Sequence, residues 1–430
     1  MNTKSGKLLL LTVCFILCPF RGWTQDSAKD TYYGLPVLPG VTGFGLDSKG
    51  GLGGKVIRVT NLNREGIGSL SEAVQAEGPR IIVFEVAGVL DLERKSLIIK
   101  NPFVTIAGQT APYPGITLIR GGIGIVTHDV ILQHLKVRPG EAGQEKKSGW
   151  EVDGIATGGG AYNVIVDHCS ATWSTDENLS ASGPRFEGAD VNEWRKNTSH
   201  KIVFSNCIIA EGLSNSTHSK GEHSKGSLIH DNATEILIIG NLYACNVQRN
   251  PLFKGGVQGL VINNFIFNPG NAAVHFGLVA QEWEGHEWIT GKMSVEGNMI
   301  EYGPDTRSKM AAGSFRGPVE VYWKDNKIIA GHEITELSGD FKRVENRPFW
   351  PQGLKAMPAD KVKESVLANA GAFPWERDEI DKRIVAGVMT GTGKIINSEK
   401  EVGGYPEIKT VYRKFREGKW DLNTMTRKKR

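Results

Sequence analysis

The chain has 430 residues and a formal charge of +4, from 51 lysines and arginines against 47 acids. Residues 1–24 hold three of those cations (Lys4, Lys7, Arg21) and no acid. The remainder is close to neutral and lacks the basic footprint of a nucleic-acid-binding protein. A composition of 40% hydrophobic and 23% charged residues excludes large-scale disorder, and 53 glycines, well above the usual ~7 %, indicate many tight turns between short strands rather than long helices.

The chain opens on an expected export signal. Lys4 and Lys7 precede an apolar run from Leu8 to Phe20, and Arg21-Gly-Trp-Thr-Gln25 then turns polar. The run is too short for a membrane span, and no other stretch qualifies. A cleaved signal over residues 1–24 is therefore predicted, with the product secreted, periplasmic or at the cell surface. Phe15-Ile-Leu-Cys18 lacks the small residues expected before a lipidated cysteine. Past the signal, Cys169, Cys207 and Cys245 are too few, and odd in number, for a disulfide framework; they read as buried apolar thiols. No CxxC or HExxH spacing points to zinc.

From about residue 104 short β-rich segments recur. They include Val104–Gly108, Val130–Val137, Val164–Ala171, Ile202–Ile209, Ile236–Tyr243 and Leu260–Phe267, with weaker copies at Met293–Ile300 and Val321–Ile329. Their polar centres, read as His134, His168, Asn206, Asn241, Asn264, Asn298 and Asn326, are spaced by 34, 38, 35, 23, 34 and 28 residues. A propeller blade needs ~40–45 residues per repeat, and a leucine-rich repeat would show its leucine signature. A fixed strand–polar–strand core at variable spacing predicts a parallel β-helix, each coil adding one rung and insertions bulging from one side. Asparagine at the corner bonds from coil to coil and tolerates left-handed backbone there. Cys169 and Cys207 fall on one rung position. A doubly wound α/β fold would need regular helices between the strands, whereas Asp190–His200 and Glu211–Ser227 read as loops. Residues 25–340 are thus one all-β domain. Residues 341–430 form a short mixed extension packed on it, with helical spacing over Ala359–Ala372 and Glu376–Val385 and a loop over Gly391–Gly404.

Charged residues collect in the loops of the third to fifth coils. Glu151-Val-Asp153-Gly154 opens one coil and Asp176-Glu177 follows its next strand. Carboxylates dispersed in sequence but converging from neighbouring coils suit a hard cation such as Ca²⁺, which takes six to eight oxygens. A basic group follows: His218, Lys220, His223 and Lys225, then Arg249-Asn-Pro251 and Lys254. Calcium beside arginine and lysine suits a polyanionic carbohydrate. No G-x-S-x-G element or P-loop occurs, which removes support for serine hydrolases and P-loop enzymes.

These residues carry a resemblance to the pectate lyase family (polysaccharide lyase family 1), in the secreted form of polysaccharide-degrading bacteria. It runs from Gly43-Phe-Gly45 and Gly50-Gly-Leu-Gly-Gly54 through Val59-Thr-Asn-Leu62, Gly68-Ser-Leu-Ser-Glu-Ala73 and Pro79-Arg-Ile-Ile-Val-Phe84. It continues in Val164-Ile-Val-Asp-His168-Cys-Ser170, Trp173-Ser-Thr-Asp-Glu177 and Arg249-Asn-Pro251, covering roughly residues 40–330. The resemblance implies a right-handed β-helix and calcium-assisted β-elimination on α-1,4-linked galacturonan (pectate or pectin) by a monomer. The family's arginine base falls on Arg249 and its companion substrate-binding cation on Lys254, where arginine is commoner. The lysine that meets a substrate carboxylate falls on Lys225, with Lys220 as the alternative in a longer loop that also holds His223. The calcium acids match Glu151, Asp153 and Asp176. The fourth acid of the pattern is Ser180 here, which leaves Glu177 to be borrowed or calcium to bind more weakly.

Two rivals remain at this level. A β-helical glycoside hydrolase needs a carboxylate pair, and the Asn-Thr-Asp and Asp-Asp elements of polygalacturonases are absent. A non-catalytic glycan-binding β-helix would keep the ladder but has no use for cations opposite acids.

Overall fold

The computed structural model describes Met1 and residues 38–428; apart from Met1, the export signal read in residues 1–24 lies outside them. The described chain winds as a parallel β-helix of three sheets. One has eleven strands, among them Val130–Gln133, Tyr162–Asp167, His200–Ser205, Thr234–Ile239 and Gln258–Ile262. A second has nine, among them Ile155–Thr157, Leu179–Ala181, Leu228–Ile229, Leu252–Lys254 and Val274–Gly277. The third has ten, among them Lys136–Arg138, Ser170–Thr172, Ile208–Ala210 and Leu242–Ala244. Within these sheets all pairings are parallel except that of Val411–Tyr412, which returns antiparallel to Val86–Ala87.

Alternate residues of each strand point inward into one continuous core, for example Val130, Val164, Ile202 and Ile236, fully buried along one row. The helix Leu70–Gln75 adds Leu70, Ala73 and Val74 to that core, and Ser69 caps it by accepting the Glu72 amide at 3.2 Å.

The corner between the eleven- and ten-stranded sheets corrects the repeat register. Ser205 pairs with Ile239 and Asp167 with Ser205, so His134, His168 and Asn206 align with Gly240, Asn263, Gly297 and Asp325, one residue before the asparagines. That first corner residue carries the positive φ, from 49° at His168 to 69° at Gly240. The second points inward, and the series is Leu135, Cys169, Cys207, Asn241, Asn264, Asn298, Asn326. Each asparagine amide donates to the next side-chain oxygen, Asn241 to Asn264 at 2.9 Å, Asn264 to Asn298 at 3.1 Å and Asn298 to Asn326 at 2.9 Å. The same oxygens also accept the preceding backbone N–H groups. The Cys207 amide closes the ladder on Asn241 at 2.8 Å. The three cysteines are free and buried, as expected of apolar thiols.

Two of the sheets have covered outer faces. On the ten-stranded sheet Ile208, Leu242, Phe265 and Met299 pack against Val362, Val366, Ile384 and Val388 of the helices Ala359–Asn369 and Glu379–Thr390. The second helix starts and ends later than the spacing predicted: Asp378 caps it, and Gly391 ends it in left-handed backbone. The fully buried Arg138 donates to Asp378 and Asp381 at 2.8 Å each, tying that helix to the coil. On the eleven-stranded sheet Ile165, Val203 and Leu260 lie under Phe44 and Leu354. A short helix, Val191–Asn197, occupies the segment read as a loop; the Asp190 carboxylate caps it by accepting the Asn192 and Glu193 amides. The outward row of the nine-stranded sheet, Ala156, Ser180, Leu228, Leu252 and His275, belongs to no such cluster. A parallel sheet is normally covered on both sides, so the open face marks where function belongs.

Candidate active site

The predicted charged residues arrive at the starts of four neighbouring strands of that open sheet. Asp153 precedes Ile155–Thr157, Asp176-Glu177 precede Leu179–Ala181, Lys225 precedes Leu228–Ile229, and Arg249 precedes Leu252–Lys254. Parallel strands lie about 4.8 Å apart, so side chains far apart in sequence become neighbours. Backbone bridges from Glu177 to Lys225 and from Lys225 to Gln248 hold the register.

Between the Lys225–Gln248 and Leu228–Leu252 pairs one side has two residues and the other three. The extra residue makes a bulge at Arg249, which takes a left-handed φ of 63°. Its guanidinium pairs with Glu177. Burial lowers its proton affinity, opposed by Asp176 and Asp153. Burial likewise pushes Lys225 down to about 8, against the pull of Glu222 and Asp176. It also holds His275 down to about 4, with the charges of Arg249 and Lys225 adding to the shift.

One carboxylate oxygen each from Asp153, Asp176 and Glu177 lies within 4.8 Å of the others. Burial and the neighbouring Asp176 charge push Asp153 up to about 7, while its oxygens accept the Glu177 amide at 3.1 Å and the Ser180 hydroxyl at 2.5 Å. Three crowded oxygens, one held at the edge of ionisation by burial and by the Asp176 charge, fit a hard dication. Ser180 stands against Asp153 rather than adding a charge, and Glu177 supplies the third carboxylate.

Glu151 lies apart from this group. It accepts the Ser219 amide at 2.9 Å and the Ser219 hydroxyl, 3.4 Å from His218 Nδ1. His223 Nε2 lies 2.7 Å from Asp176 Oδ1, and its ring stacks on His218 at 3.6 Å. Lys220 is exposed at the rim. Lys254 stands further along the open sheet, paired with Asp231 at 3.2 Å and with Glu282; Arg185 reaches the same two acids at 3.0 Å. Sequence reasoning missed Asp231, Glu282, Arg185 and His275. His275 was reachable from the outward register of its strand, but Glu282 comes from a distant insertion and leaves no local signal.

Curated relatives decide the family. The chain is 33% identical over 386 residues to a probable pectate lyase C of Emericella nidulans, covering 87% of this chain and 81% of that one. It matches its counterpart in Aspergillus flavus equally, over 87% and 82%. The chain belongs to the pectate lyase family. No family model matches it. Among solved structures the fold is shared with jun a 1, the major allergen from cedar pollen, at a TM-score of 0.56 and 17% identity over 76% of this chain and 92% of that one. It is also shared with a Bacillus pectate lyase in complex with trigalacturonate, at 0.51 and 14% over 77% and 98%. Among the described residues of this pectate lyase family member, no helix is long and apolar enough to cross a membrane.

Proposed function

We propose that this protein is a calcium-dependent polysaccharide lyase that cleaves α-1,4-linked galacturonan by β-elimination. What supports this most is that Asp153, Asp176 and Glu177 stand beside Arg249 and Lys225 on the sheet face whose outward row belongs to no hydrophobic cluster, in a chain of the pectate lyase family. Asp153, Asp176 and Glu177 would hold the calcium, with Glu151 adjoining through the His218–Ser219 loop. Bound there, calcium would draw charge from the C6 carboxylate of the substrate and so lower the cost of the charge that develops at C5.

The chain's own residues do the rest. Lys225, a buried cation on the neighbouring strand, pairs with a substrate carboxylate and fixes the sugar ring over the sheet. Arg249 takes the C5 proton as the C4 oxygen leaves. An arginine is an unusual base because it stays protonated in water; burial of its guanidinium favours the neutral form against the opposing pull of Asp176, Asp153 and Glu282, so turnover rises toward alkaline pH. The Glu177 pair must open for this. Lys254, with Lys220 at the rim, extends the contact to neighbouring carboxylates of the polymer, whereas His223, buried against Asp176, does not reach them. A polymer substrate places the work outside the cytoplasm, in keeping with the export signal read in residues 1–24, and a monomer suffices because every named group comes from one chain.

The test is incubation with polygalacturonate while following ultraviolet absorbance of the unsaturated product. Calcium-dependent growth of that absorbance is expected. New reducing ends without it would mean hydrolysis, and neither signal would leave a binding protein; either result overturns the reading.

A further inference from the structure

The reaction above leaves the stacked imidazoles of His218 and His223 without a chemical step of their own. We propose that they form, with Asp176, a second metal site that takes a borderline divalent cation of the zinc class. The donors are two imidazoles and one carboxylate, all within 4.8 Å of one another. Imidazole suits zinc and its neighbours in the transition series, whereas calcium demands six to eight oxygens. The two sites therefore call for different ions and share only Asp176.

Both rings face one carboxylate oxygen, but they lie stacked at 3.6 Å and 14° from parallel, so they must turn apart for both Nε2 lone pairs to meet one ion. His223 Nε2 lies 2.7 Å and His218 Nε2 3.9 Å from the same oxygen, Asp176 Oδ1. Tetrahedral bonds of about 2.0–2.1 Å set ligands about 3.3 Å apart, so each distance changes by only about 0.6 Å. Both rings are buried, at 1% and 4% exposure, with Asp176 open enough to admit an ion. An outer layer is also in place. His218 Nδ1 accepts the Lys220 amide at 3.1 Å, which puts the neutral ring's proton on Nε2. Ligation at Nε2 moves that proton to Nδ1, where Glu151 Oε1, 3.4 Å away and steadied by Ser219, accepts it in exchange for the amide. A carboxylate behind a ligating histidine is the usual second layer of such sites. The two histidines are five residues apart on a loop, and the aspartate comes from the preceding coil, so no linear zinc motif exists to be read.

Because Asp176 serves both sites, zinc opposes calcium; that clause rests on the proposed calcium site, while zinc binding itself does not. Zinc is titrated calorimetrically into the chelator-treated chain, as wild type and as His218→Ala, His223→Ala and Asp153→Asn. One zinc per wild-type chain is expected, weakened at least tenfold by either histidine substitution and retained by Asp153→Asn. Cobalt added to the wild type should give the intense visible bands of a low-coordinate, nitrogen-ligated ion, a readout that needs no variant to fold. Calcium should bind more weakly when zinc is present. The proposal is overturned if folded histidine variants bind zinc like the wild type, or if cobalt shows only the pale spectrum of the hydrated ion; zinc that leaves calcium affinity untouched overturns the shared use of Asp176 alone. Absence of lyase activity alters none of these readouts, so the two readings fail separately.

Discussion

Glu177 has two claimants, the guanidinium of Arg249 and the cation that Asp153 and Asp176 would share, and Glu177→Gln separates them without changing shape. Two unit charges about 4 Å apart near a protein surface attract by about 4 kcal/mol at an effective dielectric of ~20. Arg249 is 22% exposed and Glu177 5%, so screening takes about half, leaving about 2 kcal/mol. Glu177 stabilises the protonated guanidinium; without it Arg249 gives up its proton more readily. The alkaline rise in turnover should therefore move to lower pH by about 1 to 1.5 units, measured on polygalacturonate at saturating calcium. The cation site meanwhile loses one of three carboxylates, and the half-saturating calcium concentration, read by calorimetry as well as by rate, should rise at least about tenfold. A variant with both the wild-type pH profile and the wild-type calcium requirement would refute this role for Glu177.

Arg249→Lys keeps the charge but loses the planar fork and about 1 Å of reach, a misplacement worth about 10²-fold; turnover should fall by about 10² to 10⁴ with KM changed far less, and strong activity in a folded Arg249→Lys protein would sink the assignment. Asp153, held up to about 7, must lose its proton for calcium to bind. Calcium affinity should thus fall about tenfold for each pH unit below 7 and level off above 8, with Asp153→Ala abolishing that slope and raising the calcium requirement. Asn264→Leu leaves the buried Asn241 amide without its acceptor and cuts the ladder; it should cost about 3 kcal/mol, read as a lower denaturation midpoint, and an unchanged midpoint would make the ladder incidental.

The coil architecture was legible because it is periodic. Strands such as Ile202–Ser205 and Ile236–Ile239 repeat one pattern of inward and outward residues, and a core that stacks coil on coil needs nothing else. The corner register was misread by one residue for a physical reason. Asparagine serves both positions, taking left-handed backbone at Asn206 and Asn263 and pointing into the ladder at Asn241 and Asn264, so residue type alone does not distinguish them. Val191–Asn197 was missed because its helix depends on the Asp190 cap and not on an apolar stripe; it buries no residue.

The site divides along the same line. Asp153, Asp176, Lys225 and Arg249, read from charged loops and from the family resemblance, come together because each lies two or three residues before a strand of one sheet, so strand register converts sequence position into proximity. Contacts within the long loops follow no register, which is why the separation of Glu151 from the carboxylates, the pairing of Lys254 with Asp231 and Glu282, and the stacking of His218 on His223 emerge only in three dimensions. Ser180 joins the two halves of the argument. It occupies the outward row where the family pattern has a fourth acid, and its hydroxyl donates to Asp153 instead of adding to the charge. With a fourth carboxylate the Asp153 proton would be harder still to remove. With serine, three carboxylates remain, of which Glu177 doubles as the partner of Arg249. Under the proposed mechanism, loss of one ligand would couple cation binding to release of the base, a coupling that a four-acid site would not need.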